Sequence, residues 1–173
     1  IDDGEVFFKN KNINQIPNSV FRKKIQLIFQ DPSSSLNSEM SIGNSIIEPM
    51  ISHQVFNSKN EMKFRALELL NQVGLSESDY NKFPNQFSGG QRQRIVIARA
   101  LALNPEIIIC DESVSALDVS IQAQILNLLS DLKEKYHFTF IFISHDISVI
   151  KYFTDRLIIL KKGEIIELNE TDF

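Results

Sequence analysis

Cysteine is almost absent from this 173-residue chain: Cys110 stands alone, with only three histidines scattered along the sequence. A lone thiol forms no internal disulfide, and this inventory builds neither a zinc site nor an iron–sulfur cluster, so a reducing, intracellular compartment is expected. Long apolar runs are missing too. Ile107–Cys110 and Phe138–Ile143 fall far short of the ~18 residues of a membrane-spanning helix, and the N-terminus lacks the plan of a signal peptide. No stretch concentrates Lys and Arg. With 18 basic and 22 acidic residues the formal charge is −4, which argues against dedicated nucleic-acid binding. Internal repeats, low-complexity tracts and Pro-rich linkers are likewise absent. The first residue is not Met, and the acidic Ile1-Asp2-Asp3-Gly4 runs straight into a strand-like segment, so the chain is expected to begin in mid-domain.

What is present is an ordinary globular composition, 43% hydrophobic and 23% charged, on a length that suits one domain. Short β-branched and aromatic runs predict strands at Glu5–Lys9, Ile25–Phe29, Ile107–Cys110, Phe138–Ser144, Arg156–Leu160 and Glu164–Leu168. The last two flank Lys161-Lys162-Gly163, which reads as a hairpin connection. Met62, Ala66, Leu69, Leu70 and Val73 recur at helical spacing and Gly74 marks a stop. A helix from Gly90 to Leu103 is capped by Ser88, and another from Val119 to Tyr136 has Asp118 as its candidate cap. Alternating strands and amphipathic helices predict an α/β domain with a mostly parallel sheet. The 57 residues from Asp31 to Phe87 hold no convincing strand and read as an inserted helical subdomain. The expected division is therefore 1–30 as partial α/β core, 31–87 as the helical insert and 88–173 as the rest of the core.

In open α/β sheets ligands bind beyond the carboxyl ends of the strands. Here the Ile25 strand ends in Gln30, the Ile107 strand in Asp111-Glu112, and the Phe138 strand in Ser144-His145. A single such end is equally a strand turning polar where it meets water; three together deliver an amide, two carboxylates and an imidazole to one sheet edge. Adjacent carboxylates after a buried strand suit a magnesium–phosphate site, Asp111 on the hydrated metal and Glu112 placed to polarise a water. The alternative is charge favoured near a helix N-terminus. Ser88-Gly89-Gly90-Gln91 opens a helix with two glycines, leaving backbone N–H groups uncovered at a positive dipole end; its plain alternative is a flexible turn and cap. His53 and His137 read as surface or helix-terminal residues, Cys110 as a small core residue, and Arg92, Arg94 and Arg99 as the solvated face of an amphipathic helix. The 13 phenylalanines are mostly assigned to the core.

Taken together, these stretches resemble the ABC ATPases. Phe87-Ser88-Gly89-Gly90-Gln91-Arg92-Gln93-Arg94 through Leu101 is similar to their signature motif. Ile107–Glu112 is similar to the Walker B strand, Ser115-Ala116-Leu117-Asp118 to the D-loop, Gln30 to the Q-loop glutamine and Ser144-His145-Asp146 to the switch-histidine region. Phe29-Gln30-Asp31-Pro32-Ser33-Ser34-Ser35-Leu36-Asn37, Ile46-Ile47-Glu48-Pro49 and the run from Ser113 to Gln124 resemble the oligopeptide/dipeptide/nickel importer branch. Ser113 departs from the Pro that many relatives carry after the Glu.

The resemblance implies a P-loop NTPase-type α/β fold and an ATPase that energises an importer of oligopeptides, dipeptides or metal chelates, with ATP and Mg2+ as ligands. It implies Glu112 as general base, His145 as a γ-phosphate contact, and Gln30 as sensor of metal and water. Asp111 and Gln30 would serve the metal. Ser88, Gly89, Gly90 and Gln91 would contact ATP held by a partner, and Asp118 would tie two active sites together. The implied partners are a second ABC ATPase subunit of different sequence, bound head to tail, a membrane permease and, indirectly, an extracytoplasmic solute-binding protein. The implied location is peripheral, at the cytoplasmic face of the cell membrane, and some phenylalanines of 31–87 would form the groove for a permease helix. Nothing in the chain matches G-x-x-x-x-G-K-[ST], the loop that cradles phosphates. That loop is expected upstream of Ile1, and a chain without it is expected to be inactive alone. The alternatives are a soluble ABC ATPase acting on DNA or ribosomes, or a catalytically incompetent fragment. A compact helical insert without heptads counts against the DNA-repair kind.

Overall fold

Three short isoleucine-rich runs make the centre of the molecule in a computed structural model, which describes residues 4–115 and 117–170. Residues 1–3, Ala116 of the D-loop-like stretch and residues 171–173 lie outside the described residues. Along the chain come β1 (Phe7–Phe8), β2 (Lys11–Asn12), α1 (Asn18–Lys24), β3 (Ile25–Ile28), α2 (Pro32–Ser35), α3 (Ile42–Ser52) and α4 (Lys59–Gln72). They are followed by α5 (Gly89–Leu101), β4 (Ile107–Asp111), α6 (Val119–Tyr136), β5 (Thr139–Ile143), α7 (Ile147–Phe153), β6 (Arg156–Lys161) and β7 (Glu164–Glu170). The α/β class with a parallel sheet is the one expected, and residues 31–87 contain helices and 3-10 turns without a strand.

β3, β4 and β5 form a parallel sheet in that order, with Ile28, Cys110 and Phe142 level across it and Asp111 opposite Ile143. This register brings the carboxyl ends of all three strands to one edge. One face of the sheet is sealed: Ile28, Ile108 and Cys110 are fully buried in a core shared with Ile95 and Ile97 of α5 and Ile125 and Leu129 of α6. Each of these Ile and Leu side chains contributes roughly 1.5–3 kcal/mol by leaving water. The opposite face leaves Leu27, Ile141 and Ile143 between 42% and 49% exposed. α5 lies against β3 and against α2, α3, α4 and α6, so the element that begins at Ser88 is the hub that joins the helices of 31–87 to the sheet.

Several expectations need correction. The first strand is cut to two residues because Lys9 and Asn10, at φ 50° and 62°, reverse the chain into an antiparallel pair. α6 has the expected bounds, yet the Asp118 side chain caps nothing; Ser41, Ser58, Ser88 and Asp146 do cap their helices. Arg92, Arg94 and Arg99 are not a solvated face. Each is half-buried, and each guanidinium donates to a backbone carbonyl of another segment, which uses donors that a solvated arginine would give to water. Of the phenylalanines, Phe87, Phe138 and Phe153 are buried and Phe56, Phe140 and Phe142 pack against the core, while Phe7, Phe29, Phe64 and Phe83 are large exposed apolar groups. The C-terminal hairpin forms as read, turning at Lys162 and Gly163 with φ 52° and 84°. These positive values favour glycine at the second position. Among the described residues no helix is long and apolar enough to cross a membrane.

Candidate functional site

β3, β4 and β5 each run out of apolar sequence at the same edge, where the chain must turn polar. Gln30 follows β3 by two residues, Asp111 is the last residue of β4 and Glu112 the next, and His145 follows β5 by two. His145 Nδ1 lies 3.3 Å from Glu112 Oε1, so two neighbouring strands bring an imidazole and a carboxylate into contact. Gln30 Nε2 donates to Ser115 Oγ at 3.2 Å. Ser115 Oγ in turn donates to the Glu112 carbonyl at 2.9 Å. Gln30, Glu112 and His145 are therefore one connected group, with Asp111 beside it in sequence and no hydrogen bond joining Asp111 to it among the described residues.

Glu112 has a left-handed backbone, φ 46°, which for a residue with a Cβ costs roughly 1–2 kcal/mol. Three backbone and side-chain bonds hold it there. Its N–H donates to the Ile143 carbonyl at 3.0 Å, and its own carbonyl accepts from both Ser115 N–H and Ser115 Oγ. Strain of this kind is characteristic of functional positions. Nothing in the sequence signalled it, because Glu is not a residue chosen for a positive φ.

Ser88-Gly89-Gly90-Gln91 forms the start of α5. Ser88 Oγ accepts from Gln91 N–H at 3.3 Å and Gln91 Oε1 accepts from Ser88 N–H at 3.0 Å, a reciprocal cap. The N–H groups of Gly89 and Gly90 then have no acceptor among the described residues, at the positive end of a 13-residue helix. A Cβ on Gly90 would sit 2.6 Å from Ile121 Cγ2, whereas one on Gly89 would meet only Leu117 Cδ2 at 3.8 Å. The first glycine is therefore open towards solvent and the second is wedged against α6. No hydrogen bond joins this turn to the Gln30–Glu112–His145 group among the described residues, and Asp118 is exposed, its carbonyl accepting from Gln122 N–H at 2.8 Å while its side chain caps nothing.

The segment after Gln30 is bolted to α5. Asp31 caps α2 by accepting from Ser33 and Ser34 N–H, bonds that hold its carboxyl below the usual range. Arg92 Nη1 donates to Ser33 Oγ at 3.0 Å while its Nε donates to the Pro84 and Phe87 carbonyls. Arg99 reaches the Ser35 carbonyl at 2.7 Å and Glu48 at 3.0 Å. Sequence reading missed these struts and placed Ser115 in the D-loop-like stretch without giving it a role. The run of arginines on an otherwise apolar helix was the only available signal. His53 and His137 end α3 and α6. Cys110 is buried beneath the sheet, and loss of water pushes its thiol up to about 12.

Beside the His145 imidazole, the strand ends carry the two carboxylates of Asp111 and Glu112 and the Gln30 amide. Among the described residues no cluster of three or more His, Cys, Asp or Glu is built to hold a metal alone. A hard cation that keeps its waters and takes one or two carboxylates plus phosphate oxygens, as magnesium does, needs no such cluster. The oxygen-only set of Asp111, Glu112 and Gln30 suits it. A cleft beside α3, of about 330 Å³, is lined by Arg22, Gln26, Glu48, His53 and Arg99 among others and contains none of the phenylalanines of 31–87.

The family model described as ABC transporter matches residues 1–115. The oligopeptide transport ATP-binding protein OppF of Bacillus subtilis is 46% identical over 98% of this chain and 57% of its own length. The dipeptide transport ATP-binding protein DppF of Lactococcus lactis is 42% identical over 99% of this chain and 56% of its own. The chain thus spans little more than half the length of these relatives. Among solved structures, the dimeric ATP-binding cassette MJ0796 in a post-hydrolysis state with ADP and Pi superimposes with a TM-score of 0.81. It is 36% identical and is matched over 99% of this chain and 75% of that one.

Proposed function

The chain belongs to the ABC transporter family, and on that premise we propose that it is the ATP-binding, ATP-hydrolysing part of a subunit that energises an importer of oligopeptides or dipeptides, or of nickel and other metal chelates. The observation that carries the catalytic reading is the contact of His145 with Glu112, 3.3 Å apart at the ends of adjacent parallel strands, with Gln30 linked into the same group. The importer reading is supported by relatives named as oligopeptide and dipeptide transport proteins.

In this reading ATP is the substrate and the chain's task is positioning and electrostatics, which dominate phosphoryl transfer. Glu112 takes a proton from the attacking water. In the tautomer with its proton on Nδ1, His145 donates to Glu112 Oε1 and fixes the direction of that carboxylate. Gln30 orients water through its amide. Asp111 and Gln30 are the residues that would hold magnesium, which when bound neutralises charge on the phosphate oxygens. Gly89 and Gly90 offer free N–H groups, and Ser88 a hydroxyl, to the γ-phosphate of ATP held by a second, different ATPase subunit packed head to tail. Gln91 stabilises the turn through its reciprocal bond with Ser88, and Asp118, exposed before α6, reaches across the same interface. The struts from Arg92 and Arg99 to α2 support a role for residues 31–87 in passing motion from a membrane permease to Gln30. A peripheral place at the cytoplasmic membrane face, with a solute-binding protein on the other side, follows from that assembly.

The test is reconstitution of the complete subunit with its permease and partner ATPase in vesicles. ATP turnover is expected to rise when an oligopeptide-loaded solute-binding protein is added outside. Turnover indifferent to peptides and metal chelates alike would overturn the importer reading.

A further inference from the structure

The hydroxyl of Ser115 occupies a junction that neither the strand ends nor the α5 turn accounts for. It has one proton, and the geometry spends it on the Glu112 carbonyl at 2.9 Å. The 3.2 Å contact with Gln30 must then run the other way, with the Gln30 amide NH2 as donor. That fixes which end of the amide is which. The NH2 group is occupied by Ser115, and Gln30 Oε1, which has no hydrogen-bond partner among the described residues, is left free as an acceptor or ligand oxygen. A serine hydroxyl therefore decides the orientation of an amide that could otherwise flip.

The same hydroxyl grips Glu112 from behind. Glu112 sits at φ 46°, and its carbonyl is held by both the N–H and the Oγ of Ser115. Its side chain on the far side meets His145. The order Gln30, Ser115, Glu112, His145 is thus a continuous chain of hydrogen bonds across the carboxyl ends of all three parallel strands. Its first member is followed at once by α2, which Arg92 and Arg99 fasten to α5. A shift of the helices in residues 31–87 relative to the sheet has to pull on Gln30, and among the described residues the side chain that links Gln30 to Glu112 by hydrogen bonds is Ser115.

We propose that Ser115 is a positioning residue of this ATPase: it sets the amide orientation of Gln30 and couples Gln30 to the strained backbone of Glu112. The proposal rests on the reading of the strand ends as the ATP site and assigns Ser115 no contact with ATP. It is tested on the complete subunit in its transporter with Ser115→Ala, Ser115→Thr and, as control, Glu112→Gln. Ser115→Ala is expected to lower kcat about 5- to 20-fold with KM for ATP within about twofold, and Ser115→Thr, which keeps the hydroxyl, to restore at least half of the wild-type rate.

A second readout is independent of turnover. In the 15N-labelled complete subunit without nucleotide, the side-chain NH2 pair of Gln30, identified by its loss in Gln30→Glu, is expected to shift towards free glutamine values in Ser115→Ala and to stay put in Ser115→Thr. Wild-type kcat and an unmoved NH2 pair in Ser115→Ala overturn the proposal. So does a loss that Ser115→Thr fails to rescue and that tracks a lowered melting temperature, since Ser115 is then only structural. If Glu112→Gln itself hydrolyses ATP like wild type, the fault lies in the underlying reading of the site.

Discussion

Gly90 and Gly89 adjoin in one turn but face different surroundings, and substituting each with alanine separates packing from ligand binding. A Cβ on Gly90 lies 2.6 Å from Ile121 Cγ2, where carbon atoms ordinarily rest at about 3.5–4.0 Å. About 1 Å must be found, and Ile121 cannot supply it by rotation because a β-branched side chain in a helix has one strongly preferred rotamer. The starts of α5 and α6 have to separate instead. Overpacking of this kind costs about 1–3 kcal/mol, and the helix gain of alanine over glycine returns up to about 1 kcal/mol. The net expectation for Gly90→Ala is a loss of about 1–2 kcal/mol in urea unfolding of the complete subunit. Ile121→Ala removes the clashing methyl. The double variant is therefore expected to be more stable than the sum of the singles by about 1 kcal/mol or more. Gly89→Ala meets only Leu117 at 3.8 Å and is expected to unfold like wild type while slowing ATP turnover in the assembled transporter, because the methyl group covers an open N–H. A Gly90→Ala variant as stable as wild type, or strict additivity with Ile121→Ala, refutes the packing argument.

Two more expectations concern titration. Bonds from Lys24 and then Lys9 hold the Glu106 carboxyl below its ordinary 4.5, so the stabilisation it gives is present above that value and is lost as pH falls through the lowered folded-state value. Glu106→Gln, followed by urea unfolding across pH, is expected to cost about 0.5–1 kcal/mol at neutral pH and nothing in acid; a constant difference contradicts the assignment. Cys110, with its thiol pushed up to about 12 by burial, is expected to resist iodoacetamide at pH 8 until the protein unfolds. Rapid labelling of the native chain counts against its place beneath the sheet.

The elements that could be read from the chain were those with a strong local signal. β4 and β5 are short runs of β-branched and other apolar residues, α6 has a clear apolar stripe, and Ser88-Gly89-Gly90 punctuates the start of α5. The strand-end residues were legible because parallel strands must end where apolar sequence ends. α1 was not foreseen, since seven residues with three basic ones in the last turn have no apolar period. α3 was hidden by Pro49, a breaker by reputation that lies inside it. Asp118 stands where a cap belongs, and only the structure shows that its side chain makes no cap hydrogen bond. The arginines of α5 and the hydroxyl of Ser115 act over separations of dozens of residues: Arg92 on Ser33, Arg99 on Ser35, Ser115 on Gln30. Periodicity and capping rules are local and say nothing about such partners. The left-handed backbone of Glu112 belongs with them, because it is imposed by bonds to Ile143 and Ser115 and not by its own preference.

The account turns on Glu112 as the proton acceptor at the end of β4. Glu112→Gln keeps size and shape and removes the base, so the most direct measurement is phosphate release by the assembled transporter carrying this variant, with nucleotide binding measured alongside. The expected result is wild-type ATP affinity with turnover reduced at least 100-fold, in line with the share of a barrier that general-base catalysis supplies. Turnover at the wild-type rate with intact binding contradicts the account.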